Sequence, residues 1–147
     1  MVDGMTRRVR KILVIDDSEV MLGRIRLALA EAGYDVIATS QMVGNARHLP
    51  TCDLVILDYH MPGLDGSSVV SSLRAVAGAT TKVCPIYLYT SYENIARDYA
   101  RLGFDGVLTS KGDEHALVRQ VAAVFRIADM REEKELRAEK KGPPAGG

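Results

Sequence analysis

Cysteine is scarce in this chain: Cys52 and Cys84 are the only two in 147 residues. Two cysteines cannot build a disulfide framework, and their separation does not match metal-ligand spacing. Both are therefore expected as reduced thiols in apolar surroundings. An excess of either charge is also missing, since 19 Lys and Arg stand against 19 Asp and Glu. That balance removes any bulk electrostatic argument for binding nucleic acid or an anionic membrane, and neither is expected as a partner. Long apolar runs are absent too. The run "ILVI" that follows "TRRVRK" is stopped by Asp16 and Asp17 before it could form a signal-peptide core. No run is long enough to span a bilayer, so a cytoplasmic protein is expected. The stretch "GLDGSS" lacks the Gly-Lys-Ser/Thr ending of a phosphate-cradling loop, which argues against a P-loop nucleotide enzyme.

Short β-branched runs alternate with longer segments of helical period. This pattern predicts repeated βα units and a mainly parallel sheet. Five units can be read. "KILVID" leads into a helix from Ser18, its N-cap, with Met21, Ile25, Ala28, Leu29 and Ala32 on one face and Gly33 as its stop. "DVIATS" precedes a short helix over 42–49, closed by Pro50. "LVILD" is followed by a Gly-rich turn and a helix marked by Val69, Val70, Leu73 and Val76. "PIYLYTS" precedes a helix through "ENIARDYARLG", and "GVLTS" precedes a last helix carrying Leu117, Val118, Val121, Val124 and Phe125. Right-handed crossovers of this length give a five-stranded parallel sheet with helices on both faces, a three-layer α/β sandwich. Residues 1–8 are expected as an N-terminal arm and 9–128 as one domain. Residues 129–147 are expected as a charged tail, either a helical extension or disordered.

Acidic residues gather where such a sheet places its chemistry. With the first and third strands adjacent and parallel, Asp16 and Asp17 end one strand beside Asp58 at the end of the other. Crowded carboxylates raise one another's proton affinity and call for a cation, and an all-oxygen set suits Mg²⁺. Thr90 and Lys111, each at another strand end, can offer a hydroxyl and an ammonium to an anion placed over Asp58.

The segments "VIDDS", "LVILDYHMPGLDG", "YTS" and "SK" resemble, in order and spacing over 9–128, the motifs of bacterial response-regulator receiver domains. The resemblance implies a (βα)5 flavodoxin-like fold and a phosphoacceptor of a two-component phosphorelay, and with no room for a DNA-binding or catalytic output domain a stand-alone receiver is expected. Asp58 would take a phosphoryl group from a histidine kinase or histidine phosphotransfer protein. Asp16, Asp17, Asp58 and the backbone carbonyl of His60 would hold Mg²⁺, and Thr90 and Lys111 would bind phosphoryl oxygens. Such a protein is not an enzyme beyond its own phosphorylation and dephosphorylation, and its output passes through a downstream target protein.

Two positions depart from the family pattern. Gly112 follows Lys111 where many receivers have proline, so a trans and differently shaped loop is expected. Leu108 stands where the family usually carries a switching Tyr or Phe. These departures support a rival reading, a receiver-fold interaction module that acts without phosphorylation. Against it, all five side chains of the expected site are present. A phosphatase with an Asp-x-Asp nucleophile motif fits poorly, because Ser18 follows Asp16 and Asp17 directly.

Overall fold

The computed structural model describes residues 9–41, 48, 51–58, 60–61, 64–65, 71 and 84–141. Apart from residues 48 and 71, the expected helix over 42–49 and the helix marked by Val69 to Val76 fall outside the described residues, as do the arm 1–8 and the last residues of the tail.

Five strands form one parallel sheet: β1 (Lys11–Ile15), β2 (Asp35–Thr39), β3 (Leu54–Asp58), β6 (Ile86–Tyr89) and β7 (Gly106–Leu108). Between β3 and β6 lies a small antiparallel pair, β4 (His60–Met61) with β5 (Leu64–Asp65). The spatial order β2-β1-β3-β6-β7 reverses direction between β1 and β3, which makes their carboxyl ends the switch point of a doubly wound sheet.

Side-chain alternation along the strands sorts the core into two layers. Leu13, Ile15, Val55, Leu57, Ile86 and Leu88 face one side, where Cys52, Cys84 and Phe104 join them and Ile95, Tyr99 and Leu102 pack against them. Ile12, Val14, Leu54, Ile56, Tyr89 and Leu108 face the other side. There they meet Leu22, Ile25 and Leu29 of α1 (Glu19–Glu31) and Leu117, Val121 and Phe125 of α3 (Glu114–Lys141). Period-two alternation with burial on both faces is what a covered parallel sheet requires.

Ser18 caps α1, its Oγ accepting the Met21 amide at 3.2 Å. The helix closes at Ala32, with Gly33 at φ 100 and the Tyr34 amide reaching back to the Leu29 carbonyl. That is a left-handed glycine stop. Leu22 is buried although it lay off the expected face, whereas Ala32, expected on that face, is exposed at the cap. The helix expected through "ENIARDYARLG" is shorter. Regular helix covers only α2 (Glu93–Arg97), and Asp98 and Tyr99 donate three residues back, to Ile95 and Ala96. Those tightened turns lead to Gly103 at φ 98, from which Phe104 enters the core.

The amino edge of the sheet is closed by aspartates that the motif reading passed over. The Asp53 carboxylate accepts the Lys11 amide at 2.8 Å, and the Asp105 carboxylate accepts the Ile86 amide at 2.7 Å. Each satisfies a backbone donor at the start of the neighbouring strand, where the ladder has no partner for it.

On the same side of the molecule Arg10 ties α3 down. Its guanidinium pairs with Asp129 and lies 5.2 Å from the centre of the Phe125 ring, which in turn meets Tyr34 at 5.4 Å. Burial, set against the nearby Arg10 charge and joined by Asp129, raises the Tyr34 phenol above its ordinary pKa. Phe125 therefore anchors hydrophobic, aromatic and cationic contacts at once. Phe125→Ala is expected to cost about 3 kcal/mol, read as a lower urea midpoint at unchanged slope.

Candidate functional site

Parallel register builds the site. Ile15 of β1 pairs with Leu57 of β3, so the next residues, Asp16 and Asp58, emerge side by side at the carboxyl edge. Carboxylate oxygens of Asp16, Asp17 and Asp58 all lie within 4.8 Å of one another. Asp16 is 2% exposed and Asp58 7% exposed, while Asp17 is open to solvent. Two of the carboxylates are thus held largely out of water, and the third forms the solvent side of the cluster. Asp16 is also fixed from below: its amide donates to the Thr39 carbonyl, and its carboxylate accepts the Ser18 amide at 2.9 Å.

Burying two carboxylates side by side is unfavourable unless positive charge is at hand. Lys111 supplies it. Its Nζ lies 2.8 Å from Asp16 and 3.0 Å from Asp58, bridging the first and third strands from the loop after the fifth. Burial by itself would lower the Lys111 pKa. The hydrogen bonds and charges of Asp16 and Asp58 outweigh that effect and hold it above the ordinary lysine value. The ammonium stays charged.

Thr90 follows β6 directly and is 2% exposed; its amide donates to the Leu108 carbonyl. Its Oγ accepts the Tyr92 amide at 3.1 Å, which leaves the hydroxyl hydrogen to be donated elsewhere. His60 stands two residues beyond Asp58, in β4, paired in register with Asp65.

The loop around Lys111 has no cis peptide bond, as expected for Lys-Gly in place of Lys-Pro. Leu108 is buried in the core layer it shares with Tyr89 and Leu117. The Tyr89 ring lies 6.0 Å from the Lys111 ammonium. Burial raises the Tyr89 phenol pKa, with the Gly112 backbone acting against it, and its hydroxyl makes no hydrogen bond among the described residues.

Arg24 was missed in the sequence. It projects from α1 and binds both the Gly112 carbonyl and the Glu114 carboxylate, partners 88 and 90 residues away. No local spacing signals such a contact, which exists only because α1 and α3 lie side by side on one face.

Among the described residues, the cluster is an acidic pocket of oxygen donors with the Lys111 ammonium fixed in it and the buried Thr90 hydroxyl at the same sheet edge. It fits a hard divalent cation and an anion bound together. No described helix is long and apolar enough to cross a membrane.

Comparison with known proteins agrees with this arrangement. The response regulator receiver domain model matches residues 12–122. The alkaline phosphatase synthesis transcriptional regulatory protein PhoP of Bacillus subtilis is 39% identical over 125 residues, covering 82% of this chain and 50% of that protein. Among solved structures, the Thermotoga maritima response regulator TrrA in complex with Mg²⁺-BeF superposes with TM-score 0.64 at 26% identity, covering 78% of this chain and 98% of that one. The chemotaxis response regulator CheY4 of Vibrio cholerae superposes with TM-score 0.65 at 22% identity over 80% of this chain and 99% of its own, a likeness of fold. The chain spans between 14% and 51% of the length of the curated relatives it matches. With its five-stranded parallel sheet, its acidic edge and its family match, the chain belongs to the response regulator receiver domain family, the phosphoaccepting module of two-component signalling.

Proposed function

We propose that Asp58 is the phosphoacceptor and that the donor is the phosphohistidine of a histidine kinase or histidine phosphotransfer protein. The observation that carries this reading is the single ammonium of Lys111 bridging Asp16 and Asp58 beside Asp17. An oxygen of Asp58 forms the new O–P bond as the P–N bond of the donor breaks, and the electron pair of that bond stays on the imidazole nitrogen. Lys111 then exchanges its bond to Asp58 for one to a phosphoryl oxygen, and the Thr90 hydroxyl donates to another. Attack by water on phosphorus later breaks the P–O bond, releases inorganic phosphate and restores the carboxylate. The chain takes part only in its own modification and is not otherwise an enzyme.

The donor set fits Mg²⁺, because three carboxylates with oxygens within 4.8 Å offer hard ligands and an open solvent side. Asp16, Asp17 and Asp58, with the backbone carbonyl of His60, would hold it. Bound there, the ion supplies charge that screens the repulsion between the acceptor carboxylate and the incoming anion. TrrA, 26% identical, takes Mg²⁺-BeF in its crystal structure, which supports the same occupancy here. The receiver unit is proposed as residues 9–128, acting in the cytoplasm, with output through binding of a downstream target protein.

Incubating the protein with acetyl phosphate and Mg²⁺ tests the assignment by intact mass. A single phosphoryl addition is expected, lost in Asp58→Asn and in EDTA. Labelling of Asp58→Asn at the wild-type rate would refute it.

A second expectation concerns charge balance. Lys111→Gln removes both ion pairs and the positive charge between Asp16 and Asp58, at a cost of roughly 1–3 kcal/mol in metal-free buffer. Magnesium should then raise the melting temperature of the variant more than that of the wild type, because the ion replaces the missing charge. Calorimetric scans with and without MgCl₂ read both effects.

A further inference from the structure

The segment that presents Lys111 is held by polar ties. Two left-handed residues flank the lysine, Ser110 at φ 59 and Gly112 at φ 103. Ser110 is the non-glycine residue with positive φ among the described residues, a conformation that surrounding contacts must enforce. Packing does not enforce it at Gly112, where an added Cβ would meet nothing within 4 Å.

Hydrogen bonds do. On the side of the last helix, the Asp113 amide donates to the Ser110 carbonyl at 3.0 Å, and the Asp113 carboxylate caps α3 by accepting the Ala116 amide at 3.0 Å. From the opposite element, Arg24 Nη2 donates to the Gly112 carbonyl at 2.8 Å. The same guanidinium forks onto Glu114, with Nε and Nη2 at 2.8–3.0 Å from the carboxylate oxygens. A planar fork that grips a carbonyl and a carboxylate together fixes direction as well as distance, which a lysine at this position could not do.

We infer that Arg24 is a positioning residue for Lys111. It fixes the backbone at Gly112 and the first turn of α3, and so sets where the ammonium of the neighbouring Lys111 meets Asp16 and Asp58. The inference rests on the reading of Lys111 as the group that neutralises the acceptor site and later binds the phosphoryl group. It gives α1 a part in the site besides the carboxylates at its amino end. It also explains how a receiver with glycine after the lysine keeps that lysine in place.

The consequence has a signature that plain destabilisation does not share. A loosened Lys111 competes less with a metal ion for the carboxylates, so Mg²⁺ should bind more tightly. The same loosened ammonium is poorly placed to meet the phosphoryl group, so phosphorylation should slow. General damage to the fold would weaken both.

The experiment is a double-mutant cycle on the full chain with Arg24→Ala and Lys111→Gln, using Mg²⁺ titration by calorimetry and the rate of acetyl phosphate labelling at saturating Mg²⁺. Arg24→Ala is expected to tighten Mg²⁺ binding about threefold, the size of a loosened partly exposed ion pair, and to slow labelling roughly tenfold. In the Lys111→Gln background the same substitution should leave the Mg²⁺ affinity unchanged, because the residue through which it acts is gone. Arg24→Lys should fall between Arg24→Ala and wild type in both readouts, and it serves in place of Arg24→Ala should that variant fail to fold by circular dichroism. Equal shifts in Mg²⁺ affinity in both backgrounds, or no shift in either, would overturn the role of Arg24. Failure of the wild type to bind Mg²⁺, or labelling that survives Asp58→Asn, would instead remove the phosphoacceptor reading beneath it.

Discussion

One ammonium between two buried carboxylates is the contact on which the carboxyl edge of this molecule depends. Asp16 and Asp58 are brought together by strand register, without regard to their mutual repulsion, and the sheet cannot separate them without losing the pairing of β1 with β3. Lys111 makes that juxtaposition tolerable, reaching both from a loop on the far side of the sheet. The geometry is sound only while a cation stands there. Lysine suits the task because its charge is compact and its stem flexible, so the ammonium can be handed from a carboxylate to an arriving anion without rebuilding the loop.

The two edges of the sheet use the same residue type to opposite ends. At the amino edge, the carboxylates of Asp53 and Asp105 each accept the backbone amide that opens the neighbouring strand. Those amides do not move, and the aspartates they satisfy serve as fixed pegs in the sheet. At the carboxyl edge, the principal neutralising group of the acidic cluster is a side chain that can be displaced. Stability is thus concentrated at one edge and reactivity at the other, which is how a rigid scaffold carries an exchangeable site.

Much of this organisation is legible in the amino-acid string, for identifiable reasons. The strands stand out because "ILVI", "LVIL" and "IYLY" are buried on both faces and read as continuous apolar runs. The adjacency of Asp16, Asp17 and Asp58 follows from strand ends plus parallel pairing. Other features are not legible. Leu22 is buried with Ile25 and Leu29 at i, i+3 and i+7, so the buried stripe on α1 is rotated from the equally regular one through Met21, Ala28 and Ala32, and spacing does not choose between the two. The early end of α2 follows from bonds three residues back, for which "ENIARDYARLG" carries no signal. The grips of Arg24 on Glu114 and of Arg10 on Asp129 join residues 90 and 119 positions apart. Only the packing of α3 against α1 and β1 creates them.

Those two arginines hold a single long helix at two points. Glu114 and Asp129 lie 15 residues apart by number, about 22 Å along an α-helix, and the helix runs on to Lys141, about 18 Å farther. Asp129 divides the helix into these two arms. A tilt of about 10° about that point would displace the first turn, next to Lys111, by about 4 Å and carry the far end about 3 Å the opposite way, by the same helical rise. A swing of that size would drag Leu117 and Val121 across Ile12, Val14 and Leu108, so the core layer beneath the helix is what sets how much of a change at the acidic edge could reach the far end.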